Sequence, residues 1–301
     1  MSFQPLARRG FLKTLALGGG AMAAFPLFAE ELDLAGPMLR EPIHRIAKAE
    51  SAGPANAAPH PLDPALTMAR AALGHIRQDI NDFEATIIKR ERIKGVLGNY
   101  EYMYAKIRNR KIEGDQLVVP LSVYLKFLKP KDVEGREVVW VEGQNNNKLR
   151  AHEGGVAGKF LPSVWLPPDG AMAMRGNLHP IYDIGIENLV LKLIERGEAD
   201  RKLGPGDTEV RFIEGAKVND RLCTVIEVRH PVQKPHFDFY LAQIFLDNEM
   251  QVPIRYAAFH WPTDPKDTTG PVLEEYTYLN VKLNVGLEDA DFDSNNPNYK
   301  F

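Results

Sequence analysis

Residues 101–110, EYMYAKIRNR, alternate in a way that only a half-buried strand can use. Met103, Ala105 and Ile107 share one face, while Lys106, Arg108 and Arg110 share the other. A strand turns successive side chains to opposite faces, so this pattern sets one face on a core and the other in water. The same habit extends from Phe83 to Gly155. FEATIIKRERI comes first, and a connection at 94–99 joins it to YEYMYAKIRNRK. SVYLKFLK, REVVWVEG and KLRAHEGG follow, the last after the turn at Asn145-Asn146-Asn147. Gly95 and Gly98 give the first connection the backbone freedom a tight reversal needs. The stretch predicts five antiparallel strands in hairpin order.

A second strand set comes later. TEVRFIEGAKV and RLCTVIEVRHPV meet at Asn219-Asp220, DFYLAQIFLD and QVPIRYAAFHW meet at Asn248-Glu249, and EEYTYLNVKLNV ends the series. One helix precedes the first set, with Asp63 expected as its N-cap and Pro64 in its first turn. Its stripe is Leu66, Ala69, Leu73, Ile76, Ile80 and Phe83, at spacings of three and four. A second helix, DIGIENLVLKLIERGEAD, divides the two sets, with Ile186, Leu189, Val190 and Leu193 as its stripe and Gly197 as its expected terminator. Strands, a helix and strands again predict an α+β fold, because parallel α/β needs strand–helix alternation. About ten strands in hairpin order form one strongly curved antiparallel sheet or an incomplete β-barrel. Two or three helices have no second sheet to cover, so they are expected on its concave side, with an apolar cavity between.

The N-terminus reads as an address. Arg8-Arg9-Gly10-Phe11-Leu12-Lys13 precedes a mildly apolar run from Thr14 to Phe28. That pattern resembles a twin-arginine export signal, which a translocase reads as an address and which is not retained as an anchor. The run is too short and too weakly apolar to span a bilayer. Cleavage is expected after Ala23 or Ala29. No cysteine follows the run, which removes a lipid-modified N-terminus. Residues 1–29 are thus expected to be a signal peptide, 30–62 an Ala/Pro-rich flexible arm, and 63–301 a single domain that is soluble and periplasmic.

Composition narrows the partners. A formal net charge of −3 in 301 residues gives no electrostatic reason to expect nucleic acid. Basic residues cluster at Lys89, Arg90, Arg92 and Lys94, and again at 106–111. A solvated outer sheet face is the plainer reading of them; peripheral contact with anionic lipid headgroups is the sharper one. Cys223 is the lone cysteine, so no internal disulfide forms, and its place in an apolar strand predicts an inert buried thiol.

The segment 156–183, VAGKFLPSVWLPPDGAMAMRGNLHPIYD, keeps neither period through its prolines. So long and apolar a loop is either pinned over the core or gates a ligand. Phe160, Trp165, Leu166, Met172 and Met174 are its candidates for an apolar mouth. Arg175, His179 and Asp183 are its polar candidates. A His–Asp pair needs a nucleophile to be catalytic, and no nucleophile elbow is present. Asp183 is therefore expected to cap the helix that follows. His230, His236 and Asp238 lack zinc-site spacing, and neither a metal nor a cofactor is expected.

FEATIIKRERI-x-G, SVYLKFLKP, GREVVWVEGQNNNKLRAHEGG, AMAMRGNLHPIYDIGIENLV and EYTYLNVKLNVGLEDADFDSNNPNYKF together resemble an exported bacterial family, domain of unknown function 1571. The likeness covers residues 65–301. The architecture also resembles the lipoprotein-carrier fold of LolA, LolB and the sensor RseB. That resemblance implies a curved sheet holding helices in its mouth and sheltering acyl chains. The family has no established activity, so no catalytic residue carries over. The expected function is a non-enzymatic periplasmic binding protein for an apolar ligand, either a lipid or the acyl part of a lipoprotein. An envelope sensor binding a partner protein is the first alternative, and a hydrolase around Arg175, His179 and Asp183 the second.

Overall fold

A computed structural model describes residues 60–158, 160–264 and 266–301. The twin arginines Arg8 and Arg9, both cleavage positions and the arm as far as residue 59 lie outside those residues.

Helix α1 (Asp63–Asp79) opens the described chain. The strands of the first set are β1 (Asp82–Ile93), β2 (Val96–Leu97), β3 (Glu101–Arg108), β4 (Lys111–Glu113), β5 (Gln116–Val119), β6 (Ser122–Lys129), β7 (Glu137–Val141) and β8 (Leu149–His152). A single helical turn, α2 (Gly155–Gly158), leads to the short strand β9 (Val164–Leu166), and α3 (Ile186–Arg201) follows. The second set is β10 (Glu209–Val218), β11 (Arg221–Arg229), β12 (Leu241–Asp247), β13 (Pro253–Phe259) and β14 (Val272–Leu283).

Twelve of these strands make one antiparallel sheet in the order β10-β11-β12-β13-β14-β1-β3-β6-β7-β8-β9, with β2 on β1. β4 and β5 form a separate hairpin, which strand periodicity alone did not predict. The pairing of β1 with β14 joins the two meanders into one surface, with Ile87 opposite Tyr278. The two ends of the order, β9 and β10, are not paired with each other, so the barrel stays open. The fold is α+β, as the strand–helix–strand order predicts.

Between those two edges the chain crosses the concave side as α3, which runs antiparallel to α1. Ion pairs from Asp63 to Arg201 (2.6 Å), Arg70 to Glu198 and Arg77 to Glu187 (2.8 Å) mark the alignment. Each is at least partly exposed and contributes little stability. The packing beneath them contributes more: Ile76 of α1 and Ile186 and Val190 of α3 are buried against Phe83, Met103 and Ile107 of the sheet. Leu66 and Ala65 belong to a second cluster with Ile226, Val228 and Ile244.

Three local expectations are corrected. Asp63 is not the N-cap; Leu62 is, and the Asp63 carboxylate accepts the His60 backbone N–H at 2.9 Å from inside the first turn. Gly197 does not end α3. It is buried mid-helix, where an added Cβ would lie 2.9 Å from Leu66 Cδ2, so the glycine lets the two helices touch. Asp183 does not cap α3 either: Gly185 is the N-cap, and Asp183 pairs with Lys192 at 2.8 Å. The acidic tail, residues 287–301, packs on the sheet. Phe292 is buried, and Tyr299 stacks on Tyr124 with centroids 4.1 Å apart on the convex face.

Candidate functional site

The inward row of β1 begins Phe83, Ala85, Ile87, all buried, and then changes character at Lys89 and Glu91, which are buried on the same parity. Register carries the change across neighbouring strands. Glu101 of β3 lies opposite Lys89, and on the other side Tyr276 and Glu274 of β14 lie opposite Lys89 and Glu91. The central three strands thus present an apolar row, Met103–Ile87–Tyr278, and beside it a polar one.

The polar row is closely bonded. Lys89 Nζ reaches Glu91 Oε2 at 3.3 Å and Glu101 Oε2 at 3.2 Å, and donates to Asn177 Oδ1. The Tyr276 hydroxyl donates to Glu91 and lies 3.1 Å from Glu274 Oε2. His179 Nε2 meets the same Glu274 oxygen at 2.7 Å, and the Leu178 N–H donates to Glu91 Oε2 at 3.1 Å. Residues 177–179 are therefore fastened to the sheet at three points. Buried charges are tolerated only when paired in this way. The Glu274 hydrogen bond raises the His179 pKa above its ordinary value, against the opposing effect of burial. Burial first, and then the Glu274 and Glu91 carboxylates, push the Tyr276 phenol upward, so it stays a neutral donor.

Around this row lies a trough of about 1240 Å³ between the sheet and the helices. One wall is the row Leu125–Val138–Ala151–Val164, in direct register from β6 to β9. The opposite lobe is lined by Ile226, Val228 and Ile244, and the helices contribute Leu66, Ala69, Val190 and Leu193. Two apolar lobes thus flank one polar strip.

The structure separates the residues singled out in the sequence. Leu166, Met172, Arg175, His179 and Asp183 all line the trough. Met172 is 69% exposed, at its rim. Phe160, 84% exposed, and Met174 are not part of the lining. Trp165 lies on the other side of the sheet, because Val164 and Leu166 of the same strand face the trough. The proline-rich segment is also not wholly irregular: β9 adds an edge strand to β8, with Leu149 opposite Leu166. His179 and Asp183 do not form a pair; their partners are Glu274 and Lys192. His230 stacks on Phe237 and contacts Asp200 at 3.3 Å, while Asp238 and the His236 carbonyl accept from Arg196; among the described residues no three His, Cys, Asp or Glu side chains are placed to hold a metal ion.

Lys89, Glu91, Glu101, Glu274 and Tyr276 were not among the sequence candidates. Lys89 is corrected from the outer basic face to the inner one. The signal was parity: Lys89 and Glu91 continue the odd-numbered row of Phe83, Ala85 and Ile87, and Arg90 and Arg92 the even one. No helix among the described residues is long and apolar enough to cross a membrane.

Distant likenesses exist among solved structures. A putative outer membrane lipoprotein-sorting protein domain from Vibrio parahaemolyticus is 13% identical at a TM-score of 0.35, over 76% of this chain and 96% of that one. The MucA/MucB complex of Pseudomonas aeruginosa gives 15% and 0.41, over 77% of this chain and 61% of that one, so the match spans under two thirds of that relative. A LolA superfamily protein from Nitrosomonas europaea gives 10% and 0.33, over 76% and 97%. No curated protein matches the chain. The profile of a family described as "Protein of unknown function (DUF1571)" matches residues 80–301.

Proposed function

The chain belongs to the DUF1571 family, and we propose that it is a binding protein for an apolar ligand, a lipid or the acyl part of a lipoprotein, held in the trough. The observation that carries this reading is the trough itself. At about 1240 Å³ it exceeds the roughly 300–1,000 Å³ usual for small-molecule sites. Its long walls are aliphatic, and apolar ligand surface buried there contributes about 25 cal/mol per Å² before ordering costs. The paired polar strip supports binding rather than turnover: its carboxylates, lysine and histidine hold each other and the 177–179 loop. Three carboxylates, Glu91, Glu101 and Glu274, against the one lysine Lys89 favour a ligand head that offers hydrogen-bond donors. The Arg8-Arg9 run supports a site of action outside the cytoplasm, and cell fractionation that finds the chain in the cytoplasm removes that part of the reading.

A second reading, an envelope module that binds a partner protein, has its own support in β9. This edge strand is short and uncharged, and Val164 is 40% exposed, so it could accept a partner's strand.

Two variants separate the faces. Leu166→Ser with Met172→Ser should weaken binding of a fluorescent fatty-acyl probe at least tenfold, about 1.4 kcal/mol. Trp165→Ala, on the other face, should leave the probe affinity unchanged. Native mass spectrometry of protein purified from its source should show a bound lipid mass. A bare chain with a co-purifying protein, and a probe that fails to bind, would favour the second reading and sink the first.

A further inference from the structure

Trp165 has a role that the trough does not give it. On the convex face a separate cavity of about 650 Å³ lies between the β7–β9 corner and the tail residues Asp289–Asn295. Its lining differs in kind from the trough's: Arg108, Arg150, Asp289 and Asn295 are polar, and Trp165 is its exposed aromatic, whereas Trp140 and Phe292 are buried. Alternation places them there, since Leu149 and Ala151 flank Arg150 and face the trough.

Arg150 is the organising group. Its guanidinium sits 5.5 Å from the Trp165 centroid and 5.9 Å from that of Phe301. Nε donates to Ser163 Oγ and Nη1 to Ser294 Oγ, each at 3.0 Å. Two hydroxyls and two rings fix the plane without neutralising it, and among the described residues Arg150 has no carboxylate partner. Arg108, by contrast, is paired with Asp289 at 2.7 Å. A planar cation held rigid, half-buried and uncompensated is built for an anion with two oxygens. Trp165 keeps 41% of its surface open, a flat apolar face of a kind that packs against the C–H side of a sugar ring. Asn145, Asp293 and Asn295 also line the cavity; Asn295 donates to Asp293 Oδ1, and the remaining amide groups and the Asp293 Oδ2 are polar partners of the kind ring hydroxyls use.

The geometry points to a carbohydrate site on the convex face that takes a sugar ring bearing a carboxylate. The carboxylate lies on Arg150, the ring rests on Trp165, and the hydroxyls bond to the tail. The site is independent of the trough.

Isothermal titration of the intact protein with D-glucuronate tests it. Saturable binding is expected, with D-glucose (ring, no carboxylate) and acetate (carboxylate, no ring) at least tenfold weaker. Arg150→Gln should weaken glucuronate at least tenfold while the fatty-acyl probe still binds the trough as in the unchanged protein. Where the probe does not bind even the unchanged protein, an unaltered thermal midpoint certifies the fold instead. Trp165→Ala should do the same, and Trp165→Phe should retain part of the affinity. No saturable glucuronate binding overturns the proposal. Equal affinity for glucose, equal or tighter affinity for acetate or inorganic phosphate, or unchanged glucuronate affinity in Arg150→Gln also overturns it. None of these results bears on the trough, whose own test is the acyl probe.

Discussion

His179 shows how one contact fixes the behaviour of a loop. Its hydrogen bond to Glu274 favours the charged imidazole, so the folded-state pKa is raised above the ordinary histidine value of about 6.5. A raised folded pKa means the contact is fully present below about pH 6.5 and fades as pH rises through the elevated value. Histidine NMR titration should place His179 above 6.5, and Glu274→Gln should return it toward the ordinary range. A titration unchanged by that substitution would remove the pairing. Cys223 behaves as its strand neighbours predict: burial pushes its thiol up to about 12, where it is neither nucleophile nor ligand at neutral pH. The polar strip was partly legible, because a change of residue type along one parity of β1 is visible in the sequence. Its partners in β14 were not, since they come from a strand some 185 positions later.

At the scale of elements, α1 and α3 both line the trough and meet where Gly197 lies against Leu66. A helix-interior glycine costs about 1 kcal/mol against alanine, so Gly197 persists for a steric reason. Gly197→Ala gains that propensity but sets its Cβ 2.9 Å from Cδ2 of the buried Leu66, so the gain and the crowding oppose each other and the net change should stay within about 1 kcal/mol. Gly197→Leu cannot be absorbed, and overpacking should cost about 1–3 kcal/mol. Its thermal midpoint should fall by several degrees and its acyl-probe affinity should fall with it. A wild-type midpoint for the leucine variant would show that the helices are free to separate. Sequence reading assigned this glycine to a helix end, since a helical glycine near a C-terminus is most often a stop signal. Only the neighbouring helix reveals the close approach. β9 is a similar case: three residues carry too little alternation to declare a strand, and pairing with β8 makes them one.

For the whole molecule, the tail is part of the folded body. Lys106 pairs with Asp291 at 2.6 Å, and the Lys300 N–H donates to the fully buried Glu137 at 2.7 Å. Removing residues 287–301 uncovers Tyr124, Val139 and Val141, deletes the buried Phe292 and leaves Glu137 and Arg108 short of partners. Stability should drop by about 3 kcal/mol or more in denaturant titration, from apolar exposure and orphaned charge together. An unchanged midpoint would mean the tail only decorates the surface. The sequence alone determined the α+β class, the succession of the long strands along the chain and the buried face of β3, because period and turn chemistry are local. Tertiary structure decided which strand lies beside which. It thereby decided that Lys89 meets Tyr276, that Trp165 faces away from the trough and that the tail covers the convex side. Such choices rest on register and on contacts between distant parts of the chain, and no local pattern encodes them.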